Sequence, residues 1–523
     1  MDEFLQGAFS IIIPDGFYRG YDPVKSVLYA YVFEVARRLT HDAASLMIAA
    51  RLEGLGLALA GLCLVGWISR RLGRTTREAL FAVAVLLSFS NFMERSFRVR
   101  SDSVAVFFIV TSMTAATWAG SVAAAVSGLL AGAAFLSTQK AAFAVLGLGL
   151  GWACGMTRSG ARVRAFGEAV AFCGGFAAAV LAYGAWFGAG GPGALVVVKM
   201  VFLSPLDFAA HGRSYYDGLE VYVAQTLGRN VLAWSLCAAG LILAAVRVRA
   251  LSDAERRLFA VAAVVTPFVF FGAQTWPYAF VMPMVALAIF APEVPRAVAA
   301  WAPSRTAAAL VALLAGLAFS FPRNVRYLRV SNADQLDTVR EIEGLLEPED
   351  RYLDGTWMIA TRRHAGKIWW DGPALRAIAE SAARGDTSEL DRAFGERPKV
   401  VVLNYRTMGI GPFLARYVIG SYVRVAPNAL LAGVQLQGGG DTLFENRWPG
   451  RYRLVDAKGR PWNAGFRLDG RAVSGDVGVS PGSHRVSLLE PGASGYLLAV
   501  VPHLPGPLPV TKPPVDLFGG VYD

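Results

Sequence analysis

Long apolar segments alternate with short polar ones over the first 321 residues of the chain. Such segments predict spanning helices, although several are shorter than the roughly 20 residues that a bilayer requires. They lie at about 53–68, 79–91, 104–119, 122–136, 141–156, 168–187, 230–246, 258–273, 277–293 and 305–321. The pattern predicts a polytopic α-helical membrane domain over residues 1–321, with about ten spans and additional outer interfacial helices.

The pattern changes after Phe321, where charge density rises and long apolar runs stop. Residues 333–346 have a helical period and residues 399–403 form a buried-strand run, which together indicate an α/β domain over 322–448. From residue 450, short alternating runs are separated by hairpin signals such as Leu468-Asp469-Gly470. We therefore expect a small β-rich domain with a Pro-rich tail over 449–523. Both domains are predicted to be extracytoplasmic.

Composition places the chain among membrane proteins. Of its 523 residues 54% are hydrophobic and only 17% are charged, which is too apolar for a soluble globule of this length. The net charge of +11 comes from basic residues gathered in short loops at 70–77, 158–164 and 247–257. This is the positive-inside pattern, so it marks the cytoplasmic side and argues against a nucleic-acid partner. The four cysteines lie in apolar segments, which argues against a disulfide framework.

Residues 1–50 form an outer loop with no helix ahead of it in this sequence. The loop is not a signal peptide, because it has no basic region before an apolar stretch and carries acids at once. We expect a first span to be missing ahead of it. Residues 24–39 have apolar positions at helical spacing, which favours a helix lying along the membrane interface.

Candidate functional side chains collect on the outer side by this count. They are Asp2, Glu3, Tyr21, Asp22, Lys25, Arg98, Arg100, Asp102, Lys140, His211, Tyr215 and Tyr216. An outer site has no access to cytoplasmic nucleotide sugars, so a sugar donor there must arrive in the membrane, linked to a lipid. Transfer from a polyprenyl phosphate needs a carboxylate to take the acceptor's proton and cations to stabilise the departing phosphate.

Each candidate also has a structural interpretation. Asp2 is consistent with a solvated terminal acid, and Asp102 with an ion pair to Arg98 or Arg100 at a helix end. Lys140 suits a snorkelling residue at the edge of a span. His211 is typical of a solvated histidine, and Tyr215 and Tyr216 of an aromatic belt; these three stay open as substrate contacts. No Walker A loop, dinucleotide fingerprint or zinc-ligand spacing is present in the sequence.

The motifs together resemble the GT-C class of membrane glycosyltransferases. The likeness covers roughly residues 1–440 and is greatest to the lipid-phosphate-sugar-dependent branch, which contains protein O-mannosyltransferases and lipid A aminoarabinose transferases. It implies that Asp2, in the Asp2-Glu3 pair, is the catalytic base, and that Asp102 is the acid that follows arginines in the second outer loop. It further implies that Lys140 meets the carrier phosphate. The stretches 211–216 and 278–283 are similar to later motifs of the family.

Two features depart from the family pattern. The first span is absent, and residues 22–26 replace the Lys-Pro-Pro run of the first loop, which leaves the roles of Asp22 and Lys25 open. The β-rich end has no counterpart. A divalent cation is also open, since Asp2, Glu3, Asp22, Asp102 and His211 include groups able to hold one.

We therefore expect an inverting glycosyltransferase that moves a hexose or pentose from a polyprenyl phosphate to a lipid, glycan or protein acceptor. The alternatives are a transporter or flippase of lipid-linked intermediates and a non-catalytic envelope scaffold. Frequent alanine and arginine with few lysines indicate a GC-rich bacterial genome. This favours the bacterial inner membrane, with undecaprenyl or decaprenyl phosphate as carrier. Sugar, acceptor class, metal dependence and oligomeric state are left open by the sequence.

Overall fold

The chain is mostly helical in its N-terminal part and carries β-sheets in its C-terminal part. A computed structural model describes residues 28–154, 162–189, 198–203, 206, 220–271, 276–319, 322, 324, 331–366, 372–463, 465–508 and 510–515. The change from helices to sheets falls after residue 319, close to the change in composition at Phe321. The predicted order, a helical part followed by a part with β-sheets, is confirmed, whereas the polytopic membrane character of the helical part stays a prediction.

Fifteen α-helices are described before residue 320, and each of the ten predicted apolar segments overlaps one of them. They are α1 (Leu28–Val32), α2 (Glu34–Leu39), α3 (Ala43–Arg71), α4 (Thr76–Ser88), α5 (Ser90–Arg95), α6 (Ser101–Ala115), α7 (Ser121–Ser137), α8 (Ala142–Ala153), α9 (Arg162–Ala189), α10 (Glu220–Arg229), α11 (Val231–Val246), α12 (Asp253–Phe271), α13 (Val281–Ala288), α14 (Glu293–Trp301) and α15 (Thr306–Ala318).

Few of these helices are long enough to cross a bilayer alone. Among the described residues three candidates pass by length and composition: Ala43–Arg71, Arg162–Trp186 and Pro277–Trp301. A fourth results if α10 and α11, bent by 92° at their junction, count as one span. At 1.5 Å per residue, the 15-residue helix α6 covers about 22 Å of a hydrocarbon core roughly 30 Å thick. A topology of about ten spans therefore stays a prediction.

Glycine allows the helices to approach closely. A Cβ atom added to Gly128 of α7 would lie 2.0 Å from the carbonyl oxygen of Phe172 in α9. One added to Gly175 of α9 would lie 2.0 Å from the oxygen of Ala125. Small residues that permit backbone contact are typical of helix packing within membranes.

Buried ion pairs join the helices at the end that carries the basic loops. Arg74 Nη2 lies 3.3 Å from Glu293 Oε1, and Arg257 Nη2 lies 3.0 Å from Glu168 Oε2. Trp152 supports the second pair, because the Arg257 guanidinium carbon lies 3.8 Å from its ring centre. This is the end that the sequence predicts to face the cytoplasm.

From residue 331 onward, the described residues form five α-helices and twelve strands. The helices are α16 (Ala333–Glu343), α17 (Gly372–Ala383), α18 (Ser388–Gly395), α19 (Tyr405–Gly409) and α20 (Pro412–Val418). The strands are β1 (Arg351–Leu353), β2 (Arg363–His364), β3 (Val400–Val402), β4 (Tyr422–Ala426), β5 (Ala429–Gln437), β6 (Thr442–Asn446), β7 (Gly450–Val455), β8 (Phe466–Leu468), β9 (Arg471–Val473), β10 (Val477–Val479), β11 (Gly482–Leu488) and β12 (Ser494–Ala499).

One sheet runs through both predicted C-terminal domains. Its order is β10-β7-β12-β5-β3-β1-β2, with β4 also paired to β5. The pairs β1–β2 and β1–β3 are parallel, whereas β5 pairs antiparallel with both β3 and β12. Strands from both sides of residue 448 thus share one hydrogen-bonded sheet, and the division into two domains at that residue stays a prediction. A second sheet has the order β6-β11-β8-β9.

The C-terminal part rests on the start of α3 through Glu343. The backbone N–H of Ala43 donates to Glu343 Oε2 at 2.9 Å, and Arg362 Nη1 lies 3.4 Å from Glu343 Oε1. Glu343 is 8% exposed at its side chain, so this contact is enclosed between the two parts. The end of the bundle where α3 begins therefore faces the C-terminal sheets.

Candidate functional site

The segment between α5 and α6 is pressed against α3. A Cβ atom added to Gly54 of α3 would lie 2.4 Å from the carbonyl oxygen of Phe97. Only glycine fits this approach without a shift of backbone, because real Cβ atoms do not come so close to an oxygen. Gly54 therefore fixes where the chain turns before Arg98, Arg100 and Asp102.

Asp102 lies buried in the first turn of α6 between two cations. Its side chain is 5% exposed, with Oδ2 at 3.6 Å from Arg100 Nη2 and Oδ1 at 3.5 Å from Lys140 Nζ. A carboxylate near a helix N-terminus is also stabilised by the helix dipole. Both separations exceed the 2.7–2.9 Å typical of a charge-assisted hydrogen bond. Asp102 therefore holds both cations nearby at ion-pair distance.

Tyr278 joins the two cations from another part of the chain. The guanidinium carbon of Arg100 lies 3.6 Å from the centre of its ring, and Lys140 Nζ lies 4.1 Å from the same point. Such cation–π contacts gain strength as the cation loses water. The structure thus brings Arg100, Asp102 and Lys140 together around the ring of Tyr278, a residue that the sequence pattern did not assign to the site. Their roles as site residues stay predictions.

A second buried ion cluster is centred on Glu94, at the end of α5 and shortly before Arg100 in the chain. Glu94 accepts from Arg95 Nη2 at 3.2 Å and from Arg229 Nη1 at 3.3 Å, and its side chain is 8% exposed. Arg98 Nε donates to the Glu94 backbone oxygen at 3.0 Å. Sequence reasoning missed Glu94, Arg95 and Arg229. The available signal is the acid and base at positions 94 and 95, directly ahead of the predicted arginines.

Asparagine side chains fix the backbone around these clusters. Asn230 Oδ1, at the break between α10 and α11, accepts from the backbone N–H and the hydroxyl of Ser90 at 2.9 and 2.7 Å. Asn91 Nδ2 donates to the Pro277 oxygen at 3.2 Å, one residue before Tyr278. These buried bonds place α5, α10 and the Tyr278 segment in one rigid arrangement.

A small apolar crevice lies between α3, α4, α5, α6 and α13. Its lining is Leu57, Ala58, Gly61, Leu86, Phe92, Ser96, Ser103, Val106, Phe107, Val110 and Val285. Its polar lining residues include Ser103, whose hydroxyl donates to the Arg95 backbone oxygen at 3.1 Å. The volume of the crevice is about 10 Å³, roughly the space of one water molecule, so it is too small to hold a hydrocarbon chain.

Eight candidate residues lie outside the described part of the chain. They are Asp2, Glu3, Tyr21, Asp22, Lys25, His211, Tyr215 and Tyr216. Their roles, and that of Asp2 as catalytic base, stay predictions.

No metal centre is evident in the described part of the chain. There, no group of three or more His, Cys, Asp or Glu side chains is placed to hold a metal ion. Asp102 already faces two cations, which makes its carboxylate a poor ligand for a third. The question of a divalent cation thus rests on Asp2, Glu3, Asp22 and His211, which lie outside the described residues.

Comparisons with known proteins were made at the level of sequence and of structure. No family model and no curated protein sequence matches the chain. The crystal structure of the Archaeoglobus fulgidus oligosaccharyltransferase complex with Zn and sulfate is similar at a TM-score of 0.47 and 14% identity, over 80% of this chain and 64% of that one. The chain thus spans less than two thirds of that protein's length. A likeness at this score carries neither a fold class, nor a donor, nor a metal over to this chain.

Proposed function

We propose that the chain is a GT-C-type glycosyltransferase that moves one sugar from a polyprenyl phosphate to an acceptor at the outer face of the membrane. The observation that carries the proposal is the pair of cations, Arg100 and Lys140, held around buried Asp102. Charged N–H donors placed in a partly enclosed site are suited to bind a phosphate group. The acceptor's class and the identity of the sugar are left open.

The lipid part of such a donor needs an apolar surface. A polyprenyl chain is a branched hydrocarbon, so it gains free energy by leaving water or by replacing lipid against a matching apolar surface. The crevice at Ser103 is too small for it, whereas α3 carries exposed apolar side chains at Leu52, Leu55 and Leu59. The hydrocarbon chain of a donor would thus lie along the outer surface of the helices, in the bilayer.

In the proposed reaction, the acceptor's hydroxyl oxygen attacks the anomeric carbon from the side opposite the phosphate. The bond between that carbon and the phosphate oxygen breaks, and its electron pair stays on the phosphate. The proton of the hydroxyl goes to a carboxylate base, for which Asp2 is the candidate. The phosphate gains one negative charge in this step, which Arg100 and Lys140 are placed to stabilise. Asp102, facing both cations, suits holding them in position.

A transporter of lipid-linked intermediates is the rival function. The 92° break between α10 and α11 favours it, because interrupted helices often line transport sites. A transporter would use the same cations without a base. It therefore predicts binding of the lipid-linked sugar without cleavage of its bond to phosphate.

Turnover separates the two functions. The purified chain in lipid nanodiscs is mixed with polyprenyl phosphates that carry radiolabelled hexoses or pentoses, together with a membrane extract as the acceptor source. We expect label to leave the carrier for at least one donor, and Arg100→Ala to abolish most of that turnover. Arg249→Ala, an exposed arginine at the other end of the bundle, is the matched control. Donor binding without any turnover across the panel would contradict the transferase and support the transporter.

A further inference from the structure

Three aromatic rings form a row that ends at the cation pair. Tyr222 of α10 stacks on Trp276 with ring centres 5.5 Å apart and planes inclined by 29°. Trp276 in turn stacks on Tyr278 with centres 6.2 Å apart and planes inclined by 8°. The three side chains come from two segments more than 50 residues apart, so the row is a product of tertiary folding.

The row is held by buried neighbours yet remains partly accessible. Tyr222, Trp276 and Tyr278 are each of intermediate exposure, whereas Pro277 between the last two is buried. The Pro277 oxygen accepts from Asn91, and the Trp276 oxygen accepts from the backbone N–H of Ala279 at 2.9 Å. These bonds fix the backbone that carries the rings, and each of the three side chains keeps part of its surface accessible.

The geometry points to a sugar-binding surface, and we propose that Trp276 and Tyr222 carry the sugar of the lipid-linked donor. This inference rests on the proposed function. The anomeric carbon of such a donor is bonded directly to a phosphate oxygen, so a phosphate at Arg100 and Lys140 keeps the sugar ring adjacent to Tyr278. Trp276 is the next ring along the row.

The chemistry of a sugar suits this surface. The C–H groups on one side of a pyranose ring form an apolar patch, and an aromatic face carries the partial negative charge that attracts them. The hydroxyl groups at the rim remain free to meet polar side chains. A row of rings beside phosphate-binding cations therefore fits a sugar phosphate better than it fits a bare lipid phosphate.

An aromatic belt is the competing explanation, because Trp and Tyr are frequent at the membrane interface. Belt residues anchor the protein irrespective of any ligand. The two explanations differ in one measurable respect, since only a sugar-binding row distinguishes a donor that carries its sugar from the same lipid phosphate without it.

The test measures binding of both ligands to the full-length chain in nanodiscs. The probes are polyprenyl phosphate and whichever polyprenyl-phosphate sugar binds the wild type. We expect Trp276→Ala to weaken binding of the sugar-bearing lipid by roughly 3- to 10-fold and to leave the bare lipid phosphate unchanged, with Trp276→Phe recovering most of the loss. Tyr222→Leu is a second variant, and Trp301→Ala, 81% exposed on α14, is the matched control.

The outcomes are distinct. Equal weakening of both ligands by Trp276→Ala and Tyr222→Leu, or no weakening of either, would overturn the sugar-binding role while the phosphate site stands. A wild-type chain that binds neither lipid would instead refute the proposed function itself. A KM rise without a fall in kcat for Trp276→Ala would indicate that the row serves ground-state binding of the sugar.

Discussion

Replacing Lys140 by methionine tests the cation pair most sharply. The substitution removes the charge and keeps an unbranched side chain of similar length. Lys140 Nζ lies 3.5 Å from Asp102 Oδ1, and its side chain is 25% exposed. At an effective dielectric constant near 20, a unit charge at that distance interacts by about 5 kcal/mol. Solvent screening and the remaining cation reduce the net effect of a lost charged contact to about 2 kcal/mol.

About 2 kcal/mol corresponds to a roughly 30-fold loss in rate. The donor phosphate carries one negative charge before transfer and two after it, so Lys140 contributes more to the transition state than to the bound donor. We therefore expect Lys140→Met to lower kcat as well as kcat/KM. The assay follows transfer of radiolabelled sugar from the polyprenyl phosphate as donor concentration is varied.

Two further variants control this prediction. Lys140→Arg keeps the charge and should retain much of the activity, whereas Lys458→Met, at an exposed turn before β8, should leave it unchanged. Melting temperature checks that Lys140→Met still folds, which is expected because Asp102 keeps Arg100 beside it. Full activity of a folded Lys140→Met protein would refute the reasoning that this cation stabilises the leaving phosphate.

Two other predictions concern the scaffold. Gly54→Val should displace the Phe97 segment, because its Cβ would lie 2.4 Å from the Phe97 oxygen. It should therefore reduce both the melting temperature and the rate of sugar transfer. Gly56→Val should change neither quantity, because an added Cβ there meets nothing within 4 Å. Burial raises the pKa of Asp354, but hydrogen bonds from His364 and the loop hold that pKa below its usual value. The Asp354 carboxylate therefore adds to the free energy of unfolding above about pH 4. This contribution is lost as the pH falls through the pKa that Asp354 has in the folded protein. Unfolding of Asp354→Asn in denaturant should accordingly lack this acid-side loss, and an unchanged pH profile would contradict the assignment.

Sequence alone predicts the positions of the helices well. Apolar runs of 13 to 20 residues leave few alternatives to a helix, and each of the ten runs overlaps a helix in the structure. The site residues Asp102 and Lys140 could be placed together because they lie at the adjoining ends of successive helices. That inference needs the order of the helices and no knowledge of their packing.

The other site residues could not be found in this way. Glu94 and Arg229 are 135 positions apart, and their contact depends on the break at Asn230, where the sequence predicts only the start of an apolar segment. The role of Tyr278 depends on which way its ring faces. Likewise, the order of apolar and polar residues in β5 does not reveal that this strand pairs with both β3 and β12. The choice of partner strands is set by tertiary packing.

The proposed function depends most directly on Arg100 and Lys140 binding the phosphate of a lipid carrier. The most direct measurement is a cryo-EM structure of the chain in nanodiscs with polyprenyl phosphate bound. We expect phosphate oxygens within hydrogen-bond distance of both cations. Lipid phosphate bound elsewhere, with both side chains still turned to Asp102, would contradict the proposal.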